Sequence, residues 1–406
     1  MNRRKKIDSV KLILIVFLVF FLGSTNVWAL PEGGNVENGS ATFDQPNPAT
    51  LNITASDKAV INFQSFNIAQ NEAVNFIQPS VSSSVLNRVI GPNASDIAGR
   101  LTANGMLFLV NPNGINFAPT AQVQANAFVA STLDIATNNF IAGNYAFEKN
   151  LLSSYASIIN QGFITGKNIS LIASAVRNEG TIIARLGRVH LASGDKVTVS
   201  FDAKGLIQVE VTEQTSGKVY DANGKEIKDA VANAGTIEGG QVMMTVQAAS
   251  DMFENAVNQT GIVKATGFAE ENGVIRVRAN KNIKISGTAK IENKPAKGTI
   301  SIQSFDSVTV TAELDTTGNT TLSAFKDIIV NADVTTTSGD LELLADADLD
   351  GTGAFKQAKD TTIKTVNPAN DVNDSGKRVG DITIQSSGAS TIANIESAGD
   401  LILQQG

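Results

Sequence analysis

Gly298-Thr-Ile-Ser-Ile-Gln-Ser304 returns as Gly339-Asp-Leu-Glu-Leu-Leu-Ala345 and again as Gly380-Asp-Ile-Thr-Ile-Gln-Ser386, at offsets of 41 and 41 residues. A further copy, Gly399-Asp-Leu-Ile-Leu403, begins 19 residues later. Half-period copies stand at Gly318-Asn-Thr-Thr-Leu-Ser-Ala324 and, more weakly, near Asp360-Thr-Thr-Ile363. Within each copy apolar and polar residues alternate, the pattern of a strand with one buried face. The underlying unit of about 20 residues falls in the range of solenoid repeats.

The middle of the chain carries a second repeat. Asn160-Gln-Gly-Phe-Ile164, Asn178-Glu-Gly-Thr-Ile182 and Asn233-Ala-Gly-Thr-Ile237 share Asn-x-Gly-x-Ile, and each leads into a strand-like run. Asn and Gly tolerate a left-handed backbone, so these positions are expected to turn corners in that conformation. Short strands joined by Gly/Asn corners make each unit one coil of a parallel β-helix, with coils stacked about 4.8 Å apart. Each coil then buries its apolar face only against its neighbours. A single helix from about Leu51 onward is expected, with Ile300, Ile302, Leu341, Leu343, Ile382 and Ile384 inward and stacked through intervening coils. A propeller, the rival all-β arrangement, needs about 40–50 residues per blade, and the half-period copies favour the solenoid. Helical patterning is nearly missing after residue 30.

Composition removes several chemistries. The 406 residues include no Cys and one His, so thiol catalysis, disulfides and a two-His zinc helix are excluded. Nucleotide-binding glycine loops and a Gly-x-Ser-x-Gly elbow are absent. A formal charge of −7 argues against nucleic acid as a partner. At the N-terminus Arg3, Arg4, Lys5 and Lys6 precede eleven apolar residues, Leu12 to Leu22, and then Val27-Trp28-Ala29. That is the anatomy of a secretory signal over 1–29, too short to span a bilayer as an anchor. Its removal leaves a net charge near −11.

Residues 61–135 hold the most specific motifs. They include Val85-Leu-Asn-Arg-Val-Ile-Gly91, Leu107-Phe-Leu-Val-Asn-Pro-Asn-Gly-Ile115 and Phe128-Val-Ala-Ser-Thr-Leu133. In this combination the chain resembles the N-terminal secretion domain of filamentous haemagglutinin-type exoproteins of two-partner secretion. The resemblance implies an all-β, right-handed parallel β-helix with an N-terminal secretion-domain cap, the secretion domain over 30–250 and β-helix repeats of about 20 residues over 251–406. It also implies passage through the periplasm after signal cleavage, capture by the periplasmic domains of an outer-membrane pore protein, and release outside or retention at the cell surface. The function so implied is that of a surface adhesin or haemagglutinin-like structural protein, not an enzyme, facing a host or cell-surface receptor. Family members also carry toxins at their far end; here the residues stop at Gly406, inside a repeat. An autotransporter passenger is a third reading, needing a C-terminal barrel of alternating strands.

Candidate site residues follow. Asn111, Pro112, Asn113 and Gly114, with Asn87 and Arg88, form the expected export motif. Asn111-Pro-Asn-Gly114 is also good turn chemistry after a strand, and Asn87 and Arg88 read equally well as corner and surface residues. His190 lies between Val189 and Leu191 with the opposite facing, which predicts an exposed histidine. Asp346, Asp348 and Asp350 before Gly351 match the opening of a calcium loop, although its twelfth position is Gln357 rather than Glu. Calcium is thus the one candidate cofactor. Asp371, Asn373 and Asp374 form a weaker acidic turn. A β-helix polysaccharide lyase or hydrolase is the competing class, but no basic partner accompanies these carboxylates.

Overall fold

The alternating runs become short strands that pair in parallel, one coil above the next. The computed structural model describes residues 29–150, 153–202, 205–221, 224–267, 272–292, 298–373 and 375–405. The signal segment, apart from Ala29, and Asp374 lie outside the described residues. The architecture is a parallel β-helix.

Each coil contributes to three faces. One is a 10-stranded sheet from Ser95–Ile97 to Phe355–Gln357, wholly parallel. A second runs from Thr50–Ala55 to Thr288–Ile291 and is continued by the sheet of Leu314–Thr317, Val334–Thr337, Thr362–Val366 and Asn394–Glu396. The third, called the broad face below, runs from Ala59–Phe63 to Leu401–Gln405. Long strands such as Phe163–Ala173 and Thr181–Ser193 bend to serve the second and broad faces in turn, with a register shift at the bend. At the N-terminal end Asn35–Asn38 pairs antiparallel with Ala59–Phe63, and Ala41–Asn47 with Thr50–Ala55. These strands cover an edge that would otherwise offer unpaired backbone to another chain.

The expected inward residues are buried: Ile300, Leu341, Leu343 and Ile382 are fully enclosed, and Ile302 and Ile384 nearly so. Their stacking differs from the sequence expectation in one respect. Ile300 reaches Leu341 through Thr320, but Leu341 pairs directly with Ile382. The weak copy at Asp360–Ile363 belongs to the second face, where Ile363 pairs with Val334. The second 41-residue offset is therefore one long coil, while the first holds two.

The corner repeats are built differently from expectation. Neither the asparagines nor the glycines of Asn160, Gly162, Asn178, Gly180, Asn233 and Gly235 have positive φ. The glycines are required by close approach. A Cβ on Gly180 would lie 2.2 Å from the Gly162 carbonyl oxygen, on Gly235 2.1 Å from that of Gly180, and on Gly261 2.2 Å from that of Gly235. The asparagines form a buried ladder beside this column: Asn160 Nδ2 donates to Asn178 Oδ1 (2.7 Å), Asn178 Nδ2 to Asn233 Oδ1 (2.7 Å), and Asn233 Nδ2 to Gln259 Oε1 (2.8 Å). Each side chain thus satisfies its neighbour in a site closed to bulk solvent.

A second layer covers the early broad face. Asp134–Ile135, Tyr145–Glu148, Lys196–Phe201 and Ile207–Glu213 form an antiparallel lateral sheet, joined by the helix Thr137–Ala142. Its side chains enclose a separate core with Val60, Leu86, Phe108, Val110 and Val129. Phe108 meets Phe140, Tyr145 and Phe147 at ring-centroid distances of 5.3, 4.9 and 6.4 Å. Strands under this layer are buried on both faces, which explains unbroken apolar runs such as Leu107-Phe-Leu-Val110. Past residue 272 the outer side is open, and alternation returns.

Candidate functional site

The Asn111-Pro-Asn-Gly114 segment follows the strand Met106–Val110 and makes a β-turn, with the Gly114 N–H donating to Asn111 O at 3.1 Å. Gly114 has φ +115°, a region that disfavours side chains. Asn111 is fully buried and its side chain works in two directions. Its Oδ1 accepts the Asn113 N–H (2.9 Å), closing a local Asx turn, while its Nδ2 donates to Asn93 O and Ser95 Oγ (both 3.0 Å) on the preceding coil. Asn113 Nδ2 donates to Gly91 O at 2.9 Å. The turn therefore clamps two successive coils together, beyond what turn chemistry alone requires.

Asn87 and Arg88 are neither corner nor simple surface residues. They sit inside the strand Ser84–Val89, under the lateral sheet. Asn87 is fully buried, faces the coil interior beside Ile61 and Leu109, and donates from Nδ2 to Phe108 O at 3.1 Å. Its Oδ1 is buried without a partner among the described residues, a group of the kind that costs about 1–3 kcal/mol. Arg88 points outward, and its guanidinium is a hub. Nε donates to Asp134 Oδ1 (2.9 Å), Nη1 to Glu37 Oε2 (3.0 Å) and Asn62 Oδ1 (3.2 Å), and Nη2 to Ile135 O (2.5 Å). One side chain thus joins the N-terminal cap, the first coil and the start of the lateral sheet. A planar five-donor fork suits this task, and Lys could not reproduce it. Glu37 is held below the usual carboxylate range, chiefly by the Thr137 hydroxyl (2.6 Å) and further by Asn62 and Arg88, against a smaller opposing effect of burial.

The acidic loop does bring carboxylates together: ligand oxygens of Asp346, Asp348 and Asp350 lie within 4.8 Å of one another. Asp346 already has other duties. It is buried, has φ +57°, and accepts the N–H groups of Asp350 (2.9 Å) and Gly351 (3.1 Å) as well as the Ser387 hydroxyl. The Ser387 bond is the main reason its pKa is lowered, followed by the two backbone donors. Gln357 is outside the loop, buried in Phe355–Gln357, with Nε2 donating to Thr361 O and Asn394 O. Asp371 and Asn373 stand at another turn, where Asn367 Oδ1 accepts the Asp371 N–H at 2.7 Å.

His190 is buried, contrary to the expectation of an exposed side chain. It does face outward from its coil, but the strand Ile207–Glu213 crosses above it. Desolvation, reinforced by Arg188 and Arg276, lowers its pKa to about 3, opposed only by a hydrogen bond with the Ile207 backbone. Its Nε2 has no partner among the described residues. A remote strand covering an outer face leaves no trace in local alternation, and no sequence signal marked this position or the groove beside it. That groove, of about 920 Å³, includes Arg188, His190, Met243, Arg276, Arg278 and Phe305.

The family model of the TPS secretion domain matches residues 29–302. The heme/hemopexin-binding protein of Haemophilus influenzae is 30% identical over 288 residues, which cover 66% of this chain and 29% of that protein. A hemolysin of Serratia marcescens is 26% identical over 198 residues, 48% of this chain and 10% of the relative. This chain therefore spans less than a third of these curated relatives. Among solved structures, the HMW1 secretion domain from Haemophilus influenzae superposes with a TM-score of 0.69 at 25% identity, covering 92% of this chain and all of that one.

Proposed function

We propose, because this chain belongs to the TPS secretion domain family, that its early coils are an export module read by the periplasmic domains of a cognate outer-membrane pore. Residues 30–250 would carry this recognition, after cleavage of the signal over 1–29, and the coils from 251 onward would form the surface-exposed body of a secreted, adhesin-like structural protein. The observation that carries the reading is the joint between Arg88 and the Asn111 turn. Together they tie the N-terminal cap, successive coils and the lateral sheet into one unit. Such a unit offers later coils a formed edge on which to stack, since each coil is stabilised by its neighbours.

No catalytic role is assigned. The family is that of a secretion domain, and the best carboxylate, Asp346, is saturated by hydrogen bonds that build its own loop. Calcium at Asp346, Asp348 and Asp350 remains a proposal for a weak site at most.

The test is secretion in cells expressing the cognate pore. Asn111→Ala, Asn113→Ala and Arg88→Lys should each lower the extracellular yield while leaving precursor synthesis intact. Wild-type yields for all three would remove these residues from export.

A further inference from the structure

Glu72 is a buried carboxylate with no part in the joint around Arg88. It is 2% exposed and makes no ion pair among the described residues. Charged side chains are rarely enclosed so fully without a partner of opposite charge. Glu72 closes a turn in which its N–H donates to Ala69 O at 2.9 Å, and the strand Ala73–Ile77 of the second face follows directly. Gly99 of the next coil lies against this turn, where a Cβ would stand 2.4 Å from Glu72 O. Each carboxylate oxygen has a single neutral donor: Oε2 accepts the Ala69 N–H (2.8 Å) and Oε1 the Ala29 N–H (2.8 Å). Asp346, the other carboxylate buried among the described residues, is served by two N–H groups and a hydroxyl.

One of those two donors belongs to the residue that the mature chain is expected to lack. Ala29 ends the signal over 1–29, with Val27 and Ala29 as the small residues before the cleavage point. Hydrolysis of the Ala29–Leu30 peptide bond consumes one water and leaves a carboxylate on the departing Ala29 and an α-ammonium on Leu30. Glu72 Oε1 then loses its donor while a cation appears one residue along the chain. Consecutive Cα atoms are about 3.8 Å apart, so the ammonium starts close to the place the Ala29 N–H held. The Leu30 N–H has no acceptor among the described residues, and the Leu30 side chain packs against the core. Two residues on, the Glu32 N–H donates to Ser65 O at 3.0 Å, which holds the new terminus near the turn. The charged groups beside it do not compete. Arg100, paired with Ala73, gives Glu72 only its backbone N–H, to Glu72 O at 2.9 Å, and its side chain is exposed, as is that of Glu32.

We infer that Glu72 is the receptor for the mature N-terminus: once the signal is removed, the Leu30 α-ammonium pairs with the buried carboxylate and fastens the start of the N-terminal cap to the second face. A charge-assisted bond thereby replaces a neutral one, so the cap is anchored more firmly in the processed chain than in the precursor. The inference rests on cleavage after Ala29, as proposed above.

Mass spectrometry of the processed chain gives its first residue, and the pH dependence of acetylation of its α-amine, followed on the N-terminal peptide, gives the pKa of that amine. The expected result is Leu30 as first residue and a midpoint at least about one pH unit above the ordinary value of about 7.7–8.0, which makes labelling at pH 7 at least about tenfold slower. E72Q keeps the side-chain shape, removes the charge and should return the midpoint to the ordinary range. Insertion of Gly-Ser between Ala29 and Leu30 should do the same with Glu72 intact, because it moves the amine two residues away; it decides the matter where E72Q does not fold. A first residue other than Leu30 overturns the inference together with the cleavage reading. Leu30 as first residue with an ordinary midpoint, or a raised midpoint that persists in either variant, overturns the pairing alone and leaves cleavage standing.

Discussion

Replacing Asn178 by Ala removes the centre of the buried amide ladder. Asn160 Nδ2 would lose its acceptor and Asn233 Oδ1 its donor, both at 2.7 Å in the native protein. All three asparagines are fully buried, so water does not replace the missing bonds. A buried orphan group costs about 1–3 kcal/mol, and two of them place the loss at about 2–6 kcal/mol. The damage should also be local, because solenoid coils are stabilised by nearest neighbours. Urea denaturation followed by far-ultraviolet circular dichroism gives the free energy. Amide hydrogen exchange gives its location: protection should fall in Ser157–Asn160, Ala175–Asn178 and Asp229–Asn233. It should persist in Val308–Val310 and Ile328–Val330 of the same sheet. A loss below about 0.5 kcal/mol, well under the cost of even one orphaned group, or an even loss of protection along the helix, would refute the reasoning.

Gly180→Ala places a Cβ 2.2 Å from the Gly162 carbonyl oxygen and should destabilise by about 1–3 kcal/mol, read as a lower urea midpoint, although the backbone angle there is ordinary. His190 has a folded pKa of about 3 against about 6.5 unfolded, so the unfolded state binds more protons between those values. Its stabilising contribution is complete above about pH 6.5 and is lost as pH falls toward 3. His190→Gln should flatten that part of the stability curve, and an unchanged pH dependence would argue against a buried neutral imidazole. Calcium titration should show no site tighter than about the millimolar class, because Asp346 already accepts bonds from Asp350, Gly351 and Ser387; a micromolar site lost on changing Asp346, Asp348 and Asp350 to Asn would reverse this.

The sequence by itself determined the strands, the repeat and the inward set. Alternation at Ile300, Ile302, Leu341 and Leu343 reports which side of a strand is apolar, and the coil buries that side. The combination of Leu-Asn-Arg-Val with Asn-Pro-Asn-Gly also marked the segment where cap, coils and lateral sheet are joined. Tertiary structure decided what local pattern cannot encode. Whether an outward residue meets solvent depends on a segment distant in sequence: Ile207–Glu213 buries His190, whereas Arg276 on the same face stays exposed. Likewise Gly180 is required by the carbonyl of Gly162 one coil earlier, not by its own φ. Asp346 resembles a cation ligand in sequence, yet its oxygens are committed in part to Ser387, which only the long coil from Leu341 to Ile382 brings alongside. Contacts between coils arise from stacking at distances of 18 to 55 residues along the chain, so they follow from the register of the helix rather than from any one repeat.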